Sequence, residues 1–441
     1  MNAPVLPEAV RQCLDALESR GFPCYAVGGC VRDACLGLAP HDFDLCTAAT
    51  PDEMKAVFAD RSLVLAGEKH GTVGVIAPGG VVEITTFRTE GGYRDNRHPD
   101  WVKFVPTIEE DLARRDFTVN AMAWSPYRGF ADPFGGLADL KNHILRAVGD
   151  PGTRFREDSL RILRGVRFSV RYGLGPDPKT MEAMEALSPL MENLARERVF
   201  DELCKLLPLV SAGDLLRFGP ILAAVIPELA PTIGFDQRNY HHAYDLYTHT
   251  AHVTEAVSPE LPLRWAALLH DVGKVPTFTL DEQGVGHFLG HARASAEMAD
   301  GILRRQKAPT ALREQVVTLI SLHMTRLEPE KKLVRRWLSR LGPETMDALL
   351  TLQEADMGSK GTGKPAEMEQ FTQLRALVAE IQAENACLGL KDLAVNGHDL
   401  MELGYQGPEI GKCLNFLLDQ VIEEALPNEK QALLNAALER K

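Results

Sequence analysis

YAVGGCVRDACLGLAPHDFDLCT, residues 25–47, is the stretch from which the rest of the chain can be read. Cys24–Val27 reads as a short apolar strand, and Gly28-Gly29 reads as a turn. Arg32 and Asp33 fall in a brief helix, and Asp42 and Asp44 in a second strand. Strand residues two apart point the same way, so Asp42 and Asp44 are expected to set two carboxylates side by side. Such charges repel unless a cation lies between them, and hard divalent ions with oxygen ligands, Mg²⁺ above all, fill that role. Paired Mg²⁺ ions clamp the attacking and leaving oxygens of a phosphoryl transfer. The Gly-Gly turn lets backbone N–H groups approach a triphosphate, and Arg32 adds positive charge beside it.

Asp-x-Asp alone recurs by chance. Gly-Gly-x-x-Arg-Asp with Asp-x-Asp nine residues later is far more specific. It resembles the first motif of the polymerase-β-like nucleotidyltransferases. The matching branch holds the class II tRNA nucleotidyltransferases (CCA-adding enzymes) and the bacterial poly(A) polymerases.

A chain of 441 residues has room for two to four domains with real cores. A net charge of −13 argues against a protein that merely coats nucleic acid. It leaves room for a local basic groove, and Arg154–Arg171 holds six arginines against two acids. No apolar run approaches membrane-spanning length, and the N-terminus lacks a charged region followed by an apolar block. No membrane is expected, and the cytoplasm is the expected location. Eight scattered cysteines with no CxxC pair point to reduced thiols.

Residues 5–20 read as an amphipathic helix, and Thr50-Pro51-Asp52-Glu53 is a capping box that starts another. Strand-like runs follow at 63–66, 72–77 and 81–87, so the first 148 residues are expected to form an α+β head on a small mixed sheet. Glu83 is an acid inside a strong strand pattern, either an outward edge charge or a third carboxylate beside Asp42 and Asp44. The resemblance implies the third carboxylate, which would activate an attacking 3′-hydroxyl or steady a second metal ion. Residues 88–103 are polar, Arg-rich and Gly-containing, as a mobile loop is. In the resembled enzymes a full-length flexible loop here accompanies complete CCA addition.

RRDFTVNA (114–121) is similar to a further family motif, which implies that Arg115 binds the triphosphate and Asp116 orders the sugar or neighbouring side chains. DPFGGLAD (132–139) matches a third motif, read as a tight structural turn. From Pro151 the pattern turns helical, with Leu160, Leu163, Val166 and Val170 on one face. Glu157, Arg161, Arg164 and Phe168 fall opposite, flanked by Asp158 and Arg167. Arginines crowded on one helix repel one another, and a bound polyanion relieves that. The run EDxxRxxRxxRF resembles the family's nucleotide-selecting motif. C and A both offer an exocyclic amino donor beside a ring-nitrogen acceptor, whereas G and U reverse that order. A fixed carboxylate, Asp158, and a fixed guanidinium, Arg161, therefore accept C or A and reject G and U without a template. Arg164 and Arg167 would hold that pair or reach phosphates. Residues 195–203 resemble the next motif, with Arg196 and Glu202 as braces.

A different constellation follows: His249, His270-Asp271, Lys274, His291, His323 and Asp356. Any one of these histidines alone is more often packed or at the surface. Together, imidazoles and carboxylates on helices suit a divalent transition metal with open positions. The pattern resembles the HD superfamily of metal-dependent phosphohydrolases. That implies a metal on His249, His270, Asp271 and Asp356, with Lys274, His291 and His323 auxiliary, the last two for a second metal or substrate. The activity implied is phosphoester hydrolysis; the alternative is an HD fold kept as scaffold. Residues 357–370 read as a linker, and a helical tail resembling an RNA-contacting segment follows, with turns at Asn396-Gly397 and Gly407-Pro408.

The expected division is head 1–148, helical neck 149–235, HD-like domain 236–360 and tail 361–441. The expected activity is Mg²⁺-dependent addition of CCA to the 3′ end of tRNA from CTP and ATP. Its rivals are a poly(A) polymerase, a CC-only or A-only enzyme, an HD-type phosphodiesterase, and a non-catalytic RNA-binding protein.

Overall fold

Local signals in the first part of the chain set the elements that carry the site. A computed structural model describes residues 3–40, 42–91, 101–240, 243–361, 365–384 and 386–441. The chain forms two compact units, Met1–Leu209 with Arg217–Ala230, and Val210–Leu216 with Pro231–Lys441.

The first unit begins with helix α1 (Glu8–Ser19), which buries Val10, Cys13, Leu14 and Leu17 along one stripe. Strand β1 (Cys24–Val27), helix α2 (Gly29–Cys35), strand β2 (Asp44–Thr47) and helix α3 (Pro51–Val57) follow. The capping box at Thr50 and Glu53 forms as the sequence predicts. Strands β3 (Leu63–Val64), β4 (Thr72–Ala77) and β5 (Gly80–Thr86) fall on the three predicted runs, the first shortened to two residues. β6 (Arg88–Gly91) and β7 (Trp101–Phe104) pair as an antiparallel ladder, so the ends of the expected loop are strands; residues 92–100 lie outside the described residues. Helix α4 (Ile108–Leu112), strands β8 (Ala123–Ser125) and β9 (Gly129–Ala131), and helix α5 (Gly136–Lys141) complete the head. Seven strands form one sheet in the order β3-β4-β5-β2-β1-β8-β9, antiparallel except where β2 meets β5. Val27, Cys46, Phe87, Leu112, Ala121 and Ala123 pack in one cluster under it.

At the 132–139 motif, the Asp132 carboxylate accepts from the Gly136 and Leu137 N–H groups. A Cβ on Gly136 would stand 2.2 Å from the Thr118 carbonyl oxygen, so only glycine fits.

The helix expected from Pro151 onward is broken. Helix α6 (Pro151–Glu157) and helix α7 (Leu160–Tyr172) are separated by Asp158, whose backbone is extended. Asp158 and Glu157 therefore do not lie on α7, which corrects the single helical face read from spacing. That face is also less exposed than expected: Arg161, Arg167 and Phe168 are buried. Helices α8 (Pro178–Leu187) and α9 (Arg196–Leu206) pack on α6 and α7 respectively.

Ahead of the second unit's site lies helix α10 (Ala212–Ala223). The site itself is built on α11 (Leu246–Ala256), α12 (Leu261–Leu269), α13 (Lys274–Thr277), α14 (His291–Arg305), α15 (Thr310–Leu322) and α17 (Pro343–Gly358), with α16 (Lys331–Leu341) connecting the last two. Helix α18 (Pro365–Ala383) starts soon after, so most of the expected 357–370 linker is not loop. Asn396-Gly397 and Gly407-Pro408 begin helices α19 (Gly397–Glu402) and α20 (Pro408–Ile422), and helix α21 (Lys430–Arg440) ends the chain. This tail has its own core, including Leu400, Leu417 and Leu433. Among the described residues no helix is long and apolar enough to cross a membrane, and none of the eight cysteines is in a disulfide.

Candidate functional site

Strand register builds the first site. β2 pairs with β1 on one side, Asp44 opposite Val27, and with β5 on the other, Leu45 opposite Ile84. That register sets Asp44 between Glu83 and the Gly28 turn. Asp42 lies just before β2 rather than on it, so the predicted strand geometry for the pair is replaced by a shared concavity. Asp42, Asp44 and Glu83 line a recess of about 650 Å³. Asp44 is exposed at the rim, yet loss of hydration raises its carboxyl above the ordinary value. Arg115 opposes that rise, and the Glu83 and Asp42 charges add to it. A carboxylate whose charge is disfavoured by burial and by two neighbouring acids is what a hard cation relieves.

On the other flank Gly28 has φ +69° and precedes α2. A Cβ there would lie 2.8 Å from Arg115 Nη1, so the absent side chain admits that guanidinium against the turn. Arg115 is held by Asp111, 3.3 Å away, and Asp111 also binds Arg114 at 2.9 Å. Burial opposes the ionisation of Asp111, but the two arginines keep its carboxyl below the ordinary value. Sequence reading missed Asp111, although its i+3 and i+4 spacing to Arg114 and Arg115 on a helical stretch was a usable signal.

Arg32 is placed differently from expectation. It is buried beside the turn, and its guanidinium donates to Asp33 (2.7 Å), the Tyr172 hydroxyl (2.6 Å) and the Asn120 side-chain oxygen. Its cation also lies 4.3 Å from the Tyr172 ring centroid. In this arrangement Arg115, rather than Arg32, supplies the charge closest to Gly28. Asn120 donates to Asp116 Oδ1 at 3.0 Å, and Arg164 donates to Asp116 Oδ2 at 2.7 Å. Arg164, Asp116, Asn120, Arg32 and Tyr172 therefore form a ring that leaves α7, crosses the head and returns to α7. Asn120 and Tyr172 went unread, because neither residue type signals a site by itself.

Asp116 is nearly buried, which opposes ionisation. Arg164 and Asn120 nevertheless bring its carboxyl down to about 2. A depressed folded-state value contributes stability that is present above the unfolded value and lost as pH falls through the folded one. The shift amounts to about 2.5 kcal/mol at neutral pH. Asp116→Asn is expected to cost about that much in urea unfolding at pH 7, and roughly half as much at pH 3. A stability gap between the two proteins that ignores pH would refute this account.

The acid–arginine couple for base reading sits at the α6–α7 joint. Arg161 donates to Glu157 at 2.8 Å and to the Arg114 carbonyl at 3.0 Å, which brings it next to the Arg114–Arg115 segment. Asp158 accepts from Arg198 at 2.8 Å and from its neighbour Leu160 N–H at 3.0 Å. Arg198 was not anticipated, since a contact across forty residues leaves no mark in local spacing. Arg167 turns to Glu202 at 2.6 Å, a brace between α7 and α9, so Glu202 has its expected role. Arg196 caps the preceding turn through the Glu192 carbonyl.

The second unit gathers all seven residues of the later constellation. His249 comes from α11, His270 and Asp271 follow α12, Lys274 starts α13, His291 opens α14, His323 ends α15, and Asp356 lies on α17. Asp271 Oδ2 lies 3.2 Å from His270 Nε2 and 3.6 Å from His249 Nε2. Its other oxygen, Oδ1, lies 3.5 Å from His291 Nε2 and 3.8 Å from His323 Nε2. Asp356 Oδ1 lies 3.0 Å from His249 Nε2. His249–His270–Asp271 and Asp271–His291–His323 are, among the described residues, the two sets whose ligand atoms converge within 4.8 Å.

The Nδ1 atoms of His249, His270, His291 and His323 face the carbonyls of Ser359, Ala267, Phe288 and Ile320. Donation to those carbonyls leaves each Nε2 lone pair inward, the usual second shell of a metal-binding histidine. The Nε2 atoms of His270, His291 and His323, and Asp271 Oδ1, are buried without a hydrogen-bond partner. Burial, then the neighbouring His270, pushes His323 down to about 4, so its imidazole is neutral at pH 7. Burial opposes the charge on Asp271, but His270 and Lys274 hold it well below the carboxylate range. Buried polar atoms left unpaired are costly, and a divalent cation satisfies this set.

Comparison with known proteins places these residues in context. Residues 24–146 match the Poly A polymerase head domain, and residues 277–437 match tRNA nucleotidyltransferase domain 2. The chain is 36% identical to the CCA-adding enzyme of Latilactobacillus sakei over 440 residues, covering 99% of this chain and 98% of the relative. It is 36% identical to that of Levilactobacillus brevis, covering 97% of each. The Bacillus stearothermophilus CCA-adding enzyme in complex with CTP superposes with a TM-score of 0.73 at 28% identity, over 99% of this chain and 98% of that one. The Thermotoga maritima CCA-adding enzyme complexed with tRNA shares the fold, with a TM-score of 0.59 at 20% identity over 98% and 94%.

Proposed function

The chain belongs to the family of CCA-adding enzymes, and we propose how its own residues carry out that activity. It adds C, C and A to the 3′ end of tRNA from CTP and ATP. In this reading the primer's 3′-hydroxyl attacks the α-phosphorus of the incoming nucleotide and pyrophosphate leaves. The family points to a divalent metal, and the carboxylates of Asp42, Asp44 and Glu83, gathered in one recess, suit Mg²⁺, which would supply charge neutralisation at the reacting oxygens. Arg115 and the Gly28-Gly29 backbone hold the triphosphate. Asp158 accepts from the exocyclic amino group of C or A, and Arg161 donates to the ring nitrogen. Arg164 and Asp116 fix α7 to the head, Arg32 stiffens the glycine turn, and Arg167 braces the neck. The four-part division into head, neck, HD-like domain and tail, and a cytoplasmic location, belong to the same reading.

The observation that carries it is the 2.7 Å Arg164–Asp116 bridge, which ties the helix bearing Arg161 to the segment bearing Arg115. The test is a tRNA transcript lacking its last three nucleotides, incubated with CTP and ATP and sequenced at its 3′ end. CCA is expected; an A tail, or CC alone, would overturn the assignment in favour of its rivals.

A second reading is favoured by the unpartnered imidazole nitrogens in the other unit. The cluster is that of an HD-type phosphohydrolase. His249, His270, Asp271 and Asp356 would hold one divalent transition metal, and Asp271, His291 and His323 a second. Such ions supply an activated water at neutral pH.

A further inference from the structure

The histidine–aspartate cluster of the second unit opens to solvent through two recesses, and one cation stands in the wall of both. The first, about 230 Å³, is lined by Asp271, Lys274, His291 and Asp356 among others; the second, about 170 Å³, reaches His323 and Asp356. Met324, Asp356 and Lys360 line both. The two lysines near the cluster are not equivalent. Lys274 is buried, 2.8 Å from Asp271 Oδ2 and 3.0 Å from Gln237 Oε1, with its ammonium 5.2 Å from the Phe288 ring centroid. Its protons are committed inside the protein, so it fixes Asp271.

Lys360 is different. Its side chain is a quarter exposed, and its ammonium stands 3.6 Å from Asp356 Oδ2, too long for a hydrogen bond. Its backbone is nevertheless pinned. The neighbouring Ser359 carbonyl faces His249 Nδ1 at 3.2 Å, and the Lys360 carbonyl accepts from Ala243 N–H at 3.0 Å. A compact ammonium on a fixed backbone, loosely paired and facing the opening, is suited to an anion with several oxygens. Resting on the phosphohydrolase reading, we propose that Lys360 binds the phosphoryl oxygens of the substrate at this site, the ligand being a phosphate ester entering through these recesses.

The test uses full-length protein carrying Asp44→Ala, so that the head contributes little metal-dependent phosphate binding. It is stripped of metal, reloaded with Mn²⁺, assayed for metal per chain by elemental analysis, and titrated calorimetrically with inorganic phosphate. His270→Ala, which removes a ligand, is expected to lose metal and phosphate together. Lys360→Met is expected to keep its metal content and melting temperature while binding phosphate about tenfold or more weakly. Lys360→Arg should stay within about threefold of the parent, because the charge and donors remain. Unchanged phosphate affinity in Lys360→Met would make Lys360 a counter-charge for Asp356 and overturn the proposal. Loss of metal in that variant would do the same, since Lys360 would then act through Asp356. A parent protein that takes up no metal in this unit would overturn the phosphohydrolase reading itself, and the Lys360 proposal with it.

Discussion

Asp44→Ala should abolish nucleotide addition to tRNA, by roughly a thousandfold or more, without lowering the melting temperature. The activity loss follows from position. Asp44 stands between Glu83 and the glycine turn on adjacent strands, where the proposed reading puts the reacting phosphate. Losing several kcal/mol of charge neutralisation at a phosphoryl transfer costs about three orders of magnitude. The stability half of the prediction comes from electrostatics. The Asp44 carboxyl is raised in the folded protein by poor hydration and by Glu83 and Asp42, so its charge at neutral pH works against the fold. Removing it is expected to leave the metal-free protein as stable as before or slightly more so, the usual relation between a strained site and the fold that bears it. Single-turnover extension and a thermal melt in chelator read the two halves. Retained extension, or a clear drop in melting temperature, would contradict the placement of Asp44.

Asp158→Ala should change which nucleotide is used more than how fast the best one is used. The carboxylate has a finite set of acceptor positions, and Arg198 and the Leu160 N–H group take part of it. The remainder can accept from an amino group on C or A, but the carbonyl of U offers it no proton. Without it, UTP loses its penalty and CTP loses a charged hydrogen bond. The kcat/KM ratio of CTP to UTP is expected to fall about ten- to a hundredfold. Asp158→Asn, which keeps an acceptor and adds a donor, should fall by less. An equal slowdown for every nucleotide would assign Asp158 to scaffolding and remove it from base selection.

Local chemistry made much of the head legible. The capping box at Thr50, strand β4 and the turn at Gly28-Gly29 are written in adjacent residues, so their spacing could be read directly. Long-range pairing could not. Spacing placed Glu157 and Arg161 on one continuous helix, whereas the chain breaks at Asp158. Spacing read Arg32 as charge beside the glycine turn, but not its burial against Asn120 and Tyr172, 88 and 140 residues away. Arg198 and Asn120 matter only through what they touch. The second unit was clearer, because histidines are scarce and four of them spaced with two aspartates carry information that arginines in a basic run do not.

The ring of Arg164, Asp116, Asn120, Arg32 and Tyr172 bears on how such enzymes can be recombined. A crossover placed after residue 148 would part a head from the helix that completes it. Asp116 would then lose Arg164, and Arg32 would lose Tyr172. Chimeras joined there should inherit an orphaned carboxylate and fold poorly unless both donors share the ring. A junction beyond α9 exchanges the head and first neck helices as one heritable piece.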